Sequence, residues 1–276
     1  MRKILVGLAL TTGVALIAAP AAQAAPKADP VKSLKAQYVP GKGVKTSSTI
    51  RMSISGDPVI TARESGVTAF GKSGVAASDR TTKFHLDPVI VAALEDEEDG
   101  QSLKDLVRTP TRVISVKQWS YMSGGLVAST LPEGKTWVRT PNAGDSLGGP
   151  KVDLFASGTL KTLLANASSY RNGVAKGTIK ISQLPGRPFG AKAGQKVSWT
   201  LWIDAKGLVS RFATKLSVPV GRGETMDFTA DERFTGWGSK VTVTAPPAAD
   251  WIDSKDLDEK LPDVPGMPDA LTEAAG

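Results

Sequence analysis

The stretch "KVSWTLWIDAKGLVSRFATKLSV", Lys196 to Val218, decides how the rest of the chain is read. Val197, Trp199, Leu201 and Ile203 alternate with Ser198, Thr200 and Trp202, and Leu208, Phe212 and Leu216 share a face in the following segment. Side chains of a strand point to its two faces in turn, so period two with one apolar set means a half-buried strand. Between the two runs stands Asp204-Ala205-Lys206-Gly207, a Gly-containing turn. Two such strands around such a turn make an antiparallel hairpin.

The pattern extends in both directions. In "VKTSSTIRMSIS", Val44 to Ser55, the apolar Ile50, Met52 and Ile54 alternate with Thr49, Arg51, Ser53 and Ser55. Further strands are predicted near 59–70 and 75–86, in "RVISVKQWSYMS" and "KTWVRTP", near 174–182, from Met226 and Phe228 onward, and in "KVTVTAPP", which ends the sheet at Pro246-Pro247. Helices are short. Asp29-Pro30 gives an N-cap and a first helical position, with Val31, Leu34 and Tyr38 at helical spacing and Pro40-Gly41 as the stop. Asp87-Pro88 opens a second helix to about Glu98, followed by a helical turn over Ser102 to Val107, and "TLKTLLANASS" forms a further amphipathic helix with Leu160, Leu163 and Leu164 on one face. No repeat period is visible. The expected class is α+β and mostly β: an antiparallel meander too large to stay flat, so that it curls, with helices covering its apolar face.

Composition bounds the setting. Arg2 and Lys3, the apolar "ILVGLALTTGVALIAA" and Ala22-Gln23-Ala24 have the three parts of a secretory signal peptide over residues 1–24. Its removal leaves 252 of 276 residues, enough for one sizeable core, and the expected product is secreted. With no Cys there is no disulfide, no thiolate metal site and no Cys nucleophile. The formal charge is +7, and the tail 250–276 carries eight acids against Lys255 and Lys260, so the body is strongly basic. That bias suits an anionic envelope surface; no nucleic-acid motif accompanies it. The organisation expected is a signal peptide, a single domain over 25–249 and an acidic, Pro-containing, disordered tail over 250–276.

Motifs for chemistry are sparse. "GVTAFGKS", Gly66 to Ser73, fits the phosphate-loop pattern, but the loop needs a buried strand before it and a helix after it. Arg63, Glu64 and Ser65 stand before it, and "GVAASDRTTKF" after it is a poor helix, so the segment reads as two strands joined by a turn at Gly71–Gly74. His85, the single histidine, would have to serve any Ser–His–Asp triad, and it lies late in an alternating strand. The run Glu95 to Asp99 lacks the alternation of a calcium loop and reads as a solvated helix end. The reading is a non-catalytic chain with no metal site and no cofactor. Trp119, Trp137, Trp199, Trp202 and Trp237 lie in or beside strands, where they either fill a core or line a cavity.

Three segments, "EGKTWVRTP" (133–141), "WTLWIDAKGLVSRF" (199–212) and "RFTGWGSKVTVTAPPA" (233–248), resemble the LolA-like, LppX-type exported lipoproteins of actinobacteria, as does "LKAQYVPGKGV" with the strand after it. The resemblance runs in order through most of residues 30–248. It implies a half-barrel, a strongly curved antiparallel sheet with helices against its concave face, holding acyl chains in some members. This chain departs from the family in lacking the lipobox Cys.

From alternation, the cavity candidates are Ile50, Met52, Ile54, Trp199, Leu201, Phe212, Leu216, Met226 and Phe228. The leading expectation is a secreted monomeric carrier of lipid or another amphiphile. The alternative is a cell-envelope-associated interaction protein with a filled core and no ligand.

Overall fold

Alternation of polar and apolar residues becomes a single sheet. A computed structural model describes residues 28–93, 106–125, 127–141, 152–156, 158–184, 194–221 and 223–257. The strands are β1 (Lys42–Ile54), β2 (Asp57–Phe70), β3 (Val75–Leu86), β4 (Thr111–Val116), β5 (Trp119–Ser123), β6 (Trp137–Pro141), β7 (Ala167–Arg171), β8 (Val174–Lys180), β9 (Lys196–Ile203), β10 (Val209–Gly221), β11 (Glu224–Lys240) and β12 (Trp251–Asp253). They form one sheet of 12 strands in the order β12-β6-β5-β4-β3-β2-β1-β11-β10-β9-β8-β7. The chain meanders outward from β1 to β6, crosses to the far edge at β7, and meanders back until β11 pairs with β1. The edges β7 and β12 are not joined, so the sheet is open.

The antiparallel expectation holds everywhere except at one edge, where β12 lies parallel to β6. This also moves the domain boundary read at residue 249, since Trp251–Asp253 belong to the sheet. After β11 the chain runs across the outer face, where Val241 packs with Ala69 and Ala77 and Val243 joins them. It reaches β6 through Thr136 N–H donating to the Asp250 carbonyl at 2.9 Å. Residues 1–27, with the segment read as a signal peptide, the acids Glu95 to Asp99 and the residues from 258 onward lie outside the described residues.

Short α-helices accompany the sheet among the described residues, α1 (Pro30–Ala36), α2 (Pro88–Ala93) and α3 (Thr159–Ala165), with a further helical turn at 106–108. None is long and apolar enough to cross a membrane. Asp29 caps α1, its carboxylate accepting from Val31 N–H (2.9 Å) and Lys32 N–H (3.2 Å). The expected helix at "TLKTLLANASS" stops at Ala165, and Ala167 begins β7, a strand the apolar spacing had hidden. A flat sheet of this many strands would be roughly 50 Å wide, and helices of this length span only about 10 Å. Yet one face is buried from β5 to β8. Non-helical segments with Val127, Val152, Leu154 and Phe155 add to the cover, and a sheet of this size buried on one face fits the half-barrel expectation.

The hairpin that set the reading forms as expected. β9 and β10 pair antiparallel, and the Asp204 carboxylate accepts from Lys206 N–H and Leu208 N–H, both at 2.9 Å. Gly207 has φ +77°, the left-handed region that favours glycine. The phosphate-loop look-alike lies in β2 and the turn after it, with Lys72 exposed and no helix following.

Candidate functional site: the enclosed face of the sheet

Register places all nine sequence candidates on one face. Ile50 stands between Ala62 and Ala230, Met52 between Ile60 and Phe228, and Ile54 beside Met226. Leu216 links Phe228 to Val197, and Phe212 links Glu232 to Leu201. Trp199 stands opposite Thr214 on one side and Gly177 on the other.

They do not share one environment. Trp199, Leu201, Phe212 and Leu216 are fully buried with Leu34 of α1, Leu160 and Leu163 of α3, and Ile181. The Trp199 ring is fitted so closely over Gly177 that a Cβ there would sit 2.6 Å from Cζ2. Ile50 belongs to a second cluster with Ala62, Phe84, Val113 and Met122. Met52, Ile54, Met226 and Phe228 are half-buried, toward the Ser55-Gly56 turn. So one part of the candidate set is packed core, and the other is an apolar wall partly open to solvent.

Between these regions lies a band that the sequence reading did not find. On β1 the inward positions before Ile50 are Thr46 and Ser48, both buried. Across the ladder Ser48 pairs with Glu64 and with Glu232, and Glu64 pairs with Thr82. Arg80, beside Gly66, points the same way. Glu64, Arg80 and Glu232 are each buried to more than nine-tenths. Arg80 Nη1 donates to Glu64 Oε1 at 2.9 Å and Nη2 to Thr68 Oγ1 at 3.3 Å. The band continues through Thr111, Ser78, Ser115, Ser120 and Thr140, with Ser115 and Ser120 Oγ atoms 3.1 Å apart. The hydroxyls of Thr46, Ser48, Ser78 and Thr111 are buried with no hydrogen-bond partner among the described residues. Buried polar groups are normally paired, because an unmade hydrogen bond there costs about 1–3 kcal/mol.

A signal for this band was present. Thr46 and Ser48 have the same parity as Ile50, and Glu64 the same parity as Ala62. Fixing register from Ile50 would have turned them inward. Composition argued the other way, since charged residues are seldom fully buried unless paired, and the pairing partner Arg80 is 16 residues away in sequence.

One end of this face is closed by aromatics. Tyr38, Phe70, Phe155, Phe234 and Trp237 form a cluster with ring centroids 5.4 to 6.0 Å apart. Burial, and secondarily Asp153, push the Tyr38 phenol above its ordinary pKa. Trp237 Nε1–H donates to the Val209 carbonyl at 2.9 Å, which fixes the ring where β11 meets β10.

The remaining sequence candidates lie outside. His85 is exposed opposite Thr61, on the outer face with Lys83. Trp119, Trp137 and Trp202 stack with arginines on that face: Arg139 lies 4.2 Å from the Trp119 ring centre and 3.7 Å from Trp251, Arg112 lies 5.6 Å from Trp137, and Arg211 lies 4.3 Å from Trp202. Among the described residues no group of three or more His, Asp or Glu is placed to hold a metal.

No family model matches the chain, and no curated protein does. Among solved structures, a LolA superfamily protein from Nitrosomonas europaea is similar over 77% of this chain and 93% of its own, at 8% identity and a TM-score of 0.32. A hypothetical protein from Chlamydia trachomatis is similar over 80% of this chain and 98% of its own, at 10% identity and a TM-score of 0.30. A porin-like protein from Bacteroides uniformis covers 72% of this chain and 98% of its own, at 8% identity and a TM-score of 0.25. Likenesses at this level assign the chain to no family.

Proposed function

We propose that the chain is an exported, non-catalytic binder of amphiphilic molecules, an LppX-type relative of the LolA-like carriers that works without a lipid anchor. One observation carries the reading. The enclosed face joins a half-buried apolar wall, Met52, Ile54, Met226 and Phe228, to a buried band in which the hydroxyls of Thr46, Ser48, Ser78 and Thr111 have no partner among the described residues. An apolar chain suits the wall, and a polar head suits the band. Transfer of an acyl chain onto such a wall contributes about 0.8 kcal/mol per CH₂ removed from water. Hydroxyls that gain partners in the complex add orientation as much as affinity. The signal-peptide sequence and the missing lipobox Cys support export without tethering.

The test is binding of a fluorescent fatty acid, with native mass spectrometry of the secreted protein. The wild type binds, and Phe228→Ser and Met52→Ser weaken binding several-fold while leaving the unfolding midpoint nearly in place, because both side chains are only half-buried. A wild type that binds no acyl probe and carries no co-purified amphiphile overturns the proposal in favour of a filled-core interaction protein.

A further inference from the structure

The two ends of the sheet differ in charge. Strand direction puts the Val39–Lys42 turn, the Gly71–Gly74 turn, Lys117-Gln118, Asn172-Gly173, the Asp204–Gly207 turn and the Lys240 end of β11 at one end. This is the end closed by the aromatic cluster. Lys42, Lys72, Lys206 and Lys240 stand there, all exposed, and Lys42 and Lys240 face each other directly across β1 and β11. No acid occurs in residues 30–56, 66–78 or 235–249. The acids present at this end are Asp29, whose carboxylate caps α1 beside the Asp204–Gly207 turn, Asp204, whose carboxylate is engaged in its own turn, and Asp153, which accepts from Phe155 N–H. At the opposite end Asp57, Asp87 and Glu224 stand among Arg108, Lys180 and Lys196, so its charge is mixed. β1 spans the distance between the two, about 40 Å for a strand of its length.

Exposed apolar residues accompany the lysines. Val39 (46% exposed) and Val75 (40%) are two of three large hydrophobic residues exposed among those described; Val39 lies in the connection before β1 and Val75 opens β3, both at the basic end. Like charges directly across a ladder are destabilising, and so is exposing an apolar tip. Their coincidence at one end fits a surface that supplies negative charge and a place for short apolar side chains to enter.

We propose that this end docks on an anionic lipid bilayer, with Lys42, Lys72, Lys206 and Lys240 at the headgroups and Val39 and Val75 inserted between them. Docked so, the half-buried wall at Met52 and Phe228 faces away from the bilayer. The bilayer is favoured over a soluble polyanion because Val39 and Val75 flank the lysines, and a polymer has no apolar layer to receive them.

The test is flotation of the full secreted chain with phosphatidylcholine vesicles, with and without phosphatidylglycerol, at low and high salt. Binding is expected only with phosphatidylglycerol, and weaker at high salt. Lys42→Glu combined with Lys72→Glu should weaken it roughly thirty-fold or more, taking about 1 kcal/mol per basic residue near an anionic surface. The charge-matched pair Lys83→Glu and Lys196→Glu, exposed residues away from these turns, should leave it unchanged. Val39→Ser with Val75→Ser should reduce binding while keeping its salt dependence. Equal binding to neutral vesicles, equal loss in both charge-matched pairs, or binding to soluble polyphosphate without binding to vesicles overturns the proposal. Acyl-probe binding in solution is read separately, so failure here leaves the amphiphile reading standing.

Discussion

Arg80 and Glu64 meet on the enclosed face, on adjacent strands β3 and β2, with Nη1 and Oε1 2.9 Å apart and side chains only 7% and 2% exposed. In a sheet whose other inward positions are mostly apolar or hydroxyl-bearing, this ion pair holds the polar band together. Desolvating two charges offsets much of their attraction, so the pair contributes little compared with a well-packed apolar replacement. Removing one partner is a different matter.

Arg80→Met should therefore destabilise by about 3–5 kcal/mol, because the Glu64 carboxylate is left buried without its guanidinium. Adding Glu64→Leu should recover a large part of that loss. Urea unfolding of the two single variants and the double variant measures the coupling. A double variant that loses the sum of the two singles would show that each side chain is held by other partners instead.

Trp199 is built into the packed core. It is buried with α1 and α3 side chains and packed against Gly177. Trp199→Ala should cost about 3–5 kcal/mol of stability. Gly177→Ala should cost about 1–3 kcal/mol, since the new methyl overpacks against a ring with no room to move. Fluorescent fatty-acid binding, measured below the denaturation range, should change far less in both than in Phe228→Ser. Loss of binding in Trp199→Ala without loss of stability would place the ligand deeper than the half-buried wall.

Arg139 fixes the last strand to the edge of the sheet. Its Nε and Nη2 donate to the two carboxylate oxygens of Asp253, each at 2.6 Å, while its plane lies between Trp119 and Trp251. Tyr121 packs edge-on to Trp251. A bidentate pair with two ring contacts is stronger than an isolated surface bridge, and Arg139→Ala should cost about 1–3 kcal/mol. Hydrogen exchange of β6 and β12 amides should accelerate in that variant, with β8 to β11 unaffected. Lys at 139 should rescue only in part, since an ammonium cannot make the planar two-bond contact.

Asp227 carries a small pH dependence. The Ser217 hydroxyl at 2.5 Å and, next, the Lys215 ammonium at 2.9 Å hold its carboxyl below the ordinary range. A carboxyl depressed in the folded state adds stability above its unfolded pKa, about 3.9, and that stability is lost as pH falls through the lower folded value. Asp227→Asn should flatten the acid limb of the stability curve below about pH 4 and change little near neutrality beyond the loss of the pair itself. Thermal midpoints of the wild type and variant, taken across that range, check the sign. A steeper acid limb in the variant would contradict it.

Much of the fold was legible in the chain. Alternation in Lys196–Val218 and Val44–Ser55 fixed strands and faces, because side-chain direction along a strand has period two whatever it packs against. Asp29-Pro30 announced α1, and Gly207 announced the hairpin turn, through local geometry alone. Less legible was β7, where "ASSYR" has no clear apolar face and gains its place only by pairing with β8 at an edge. The same holds for β12: Trp251, Ile252 and Asp253 sit at the head of an acidic segment that by composition reads as unstructured, and Arg139, 114 residues earlier, orders them.

The candidate site divides along the same line. Sequence placed nine side chains on one face, and register in the folded sheet agrees, because neighbouring strands must present their apolar sets to the same side. Which of them are core and which border an open wall was decided by where α1, α3 and the aromatic cluster fall across the sheet. The buried band of Arg80, Glu64, Glu232 and the hydroxyls, and the gathering of lysines from separate turns at one end, were likewise decided only by the tertiary structure. Local sequence fixes the direction of a side chain; a burial depth or a charge patch is a sum over residues brought together from distant parts of the chain.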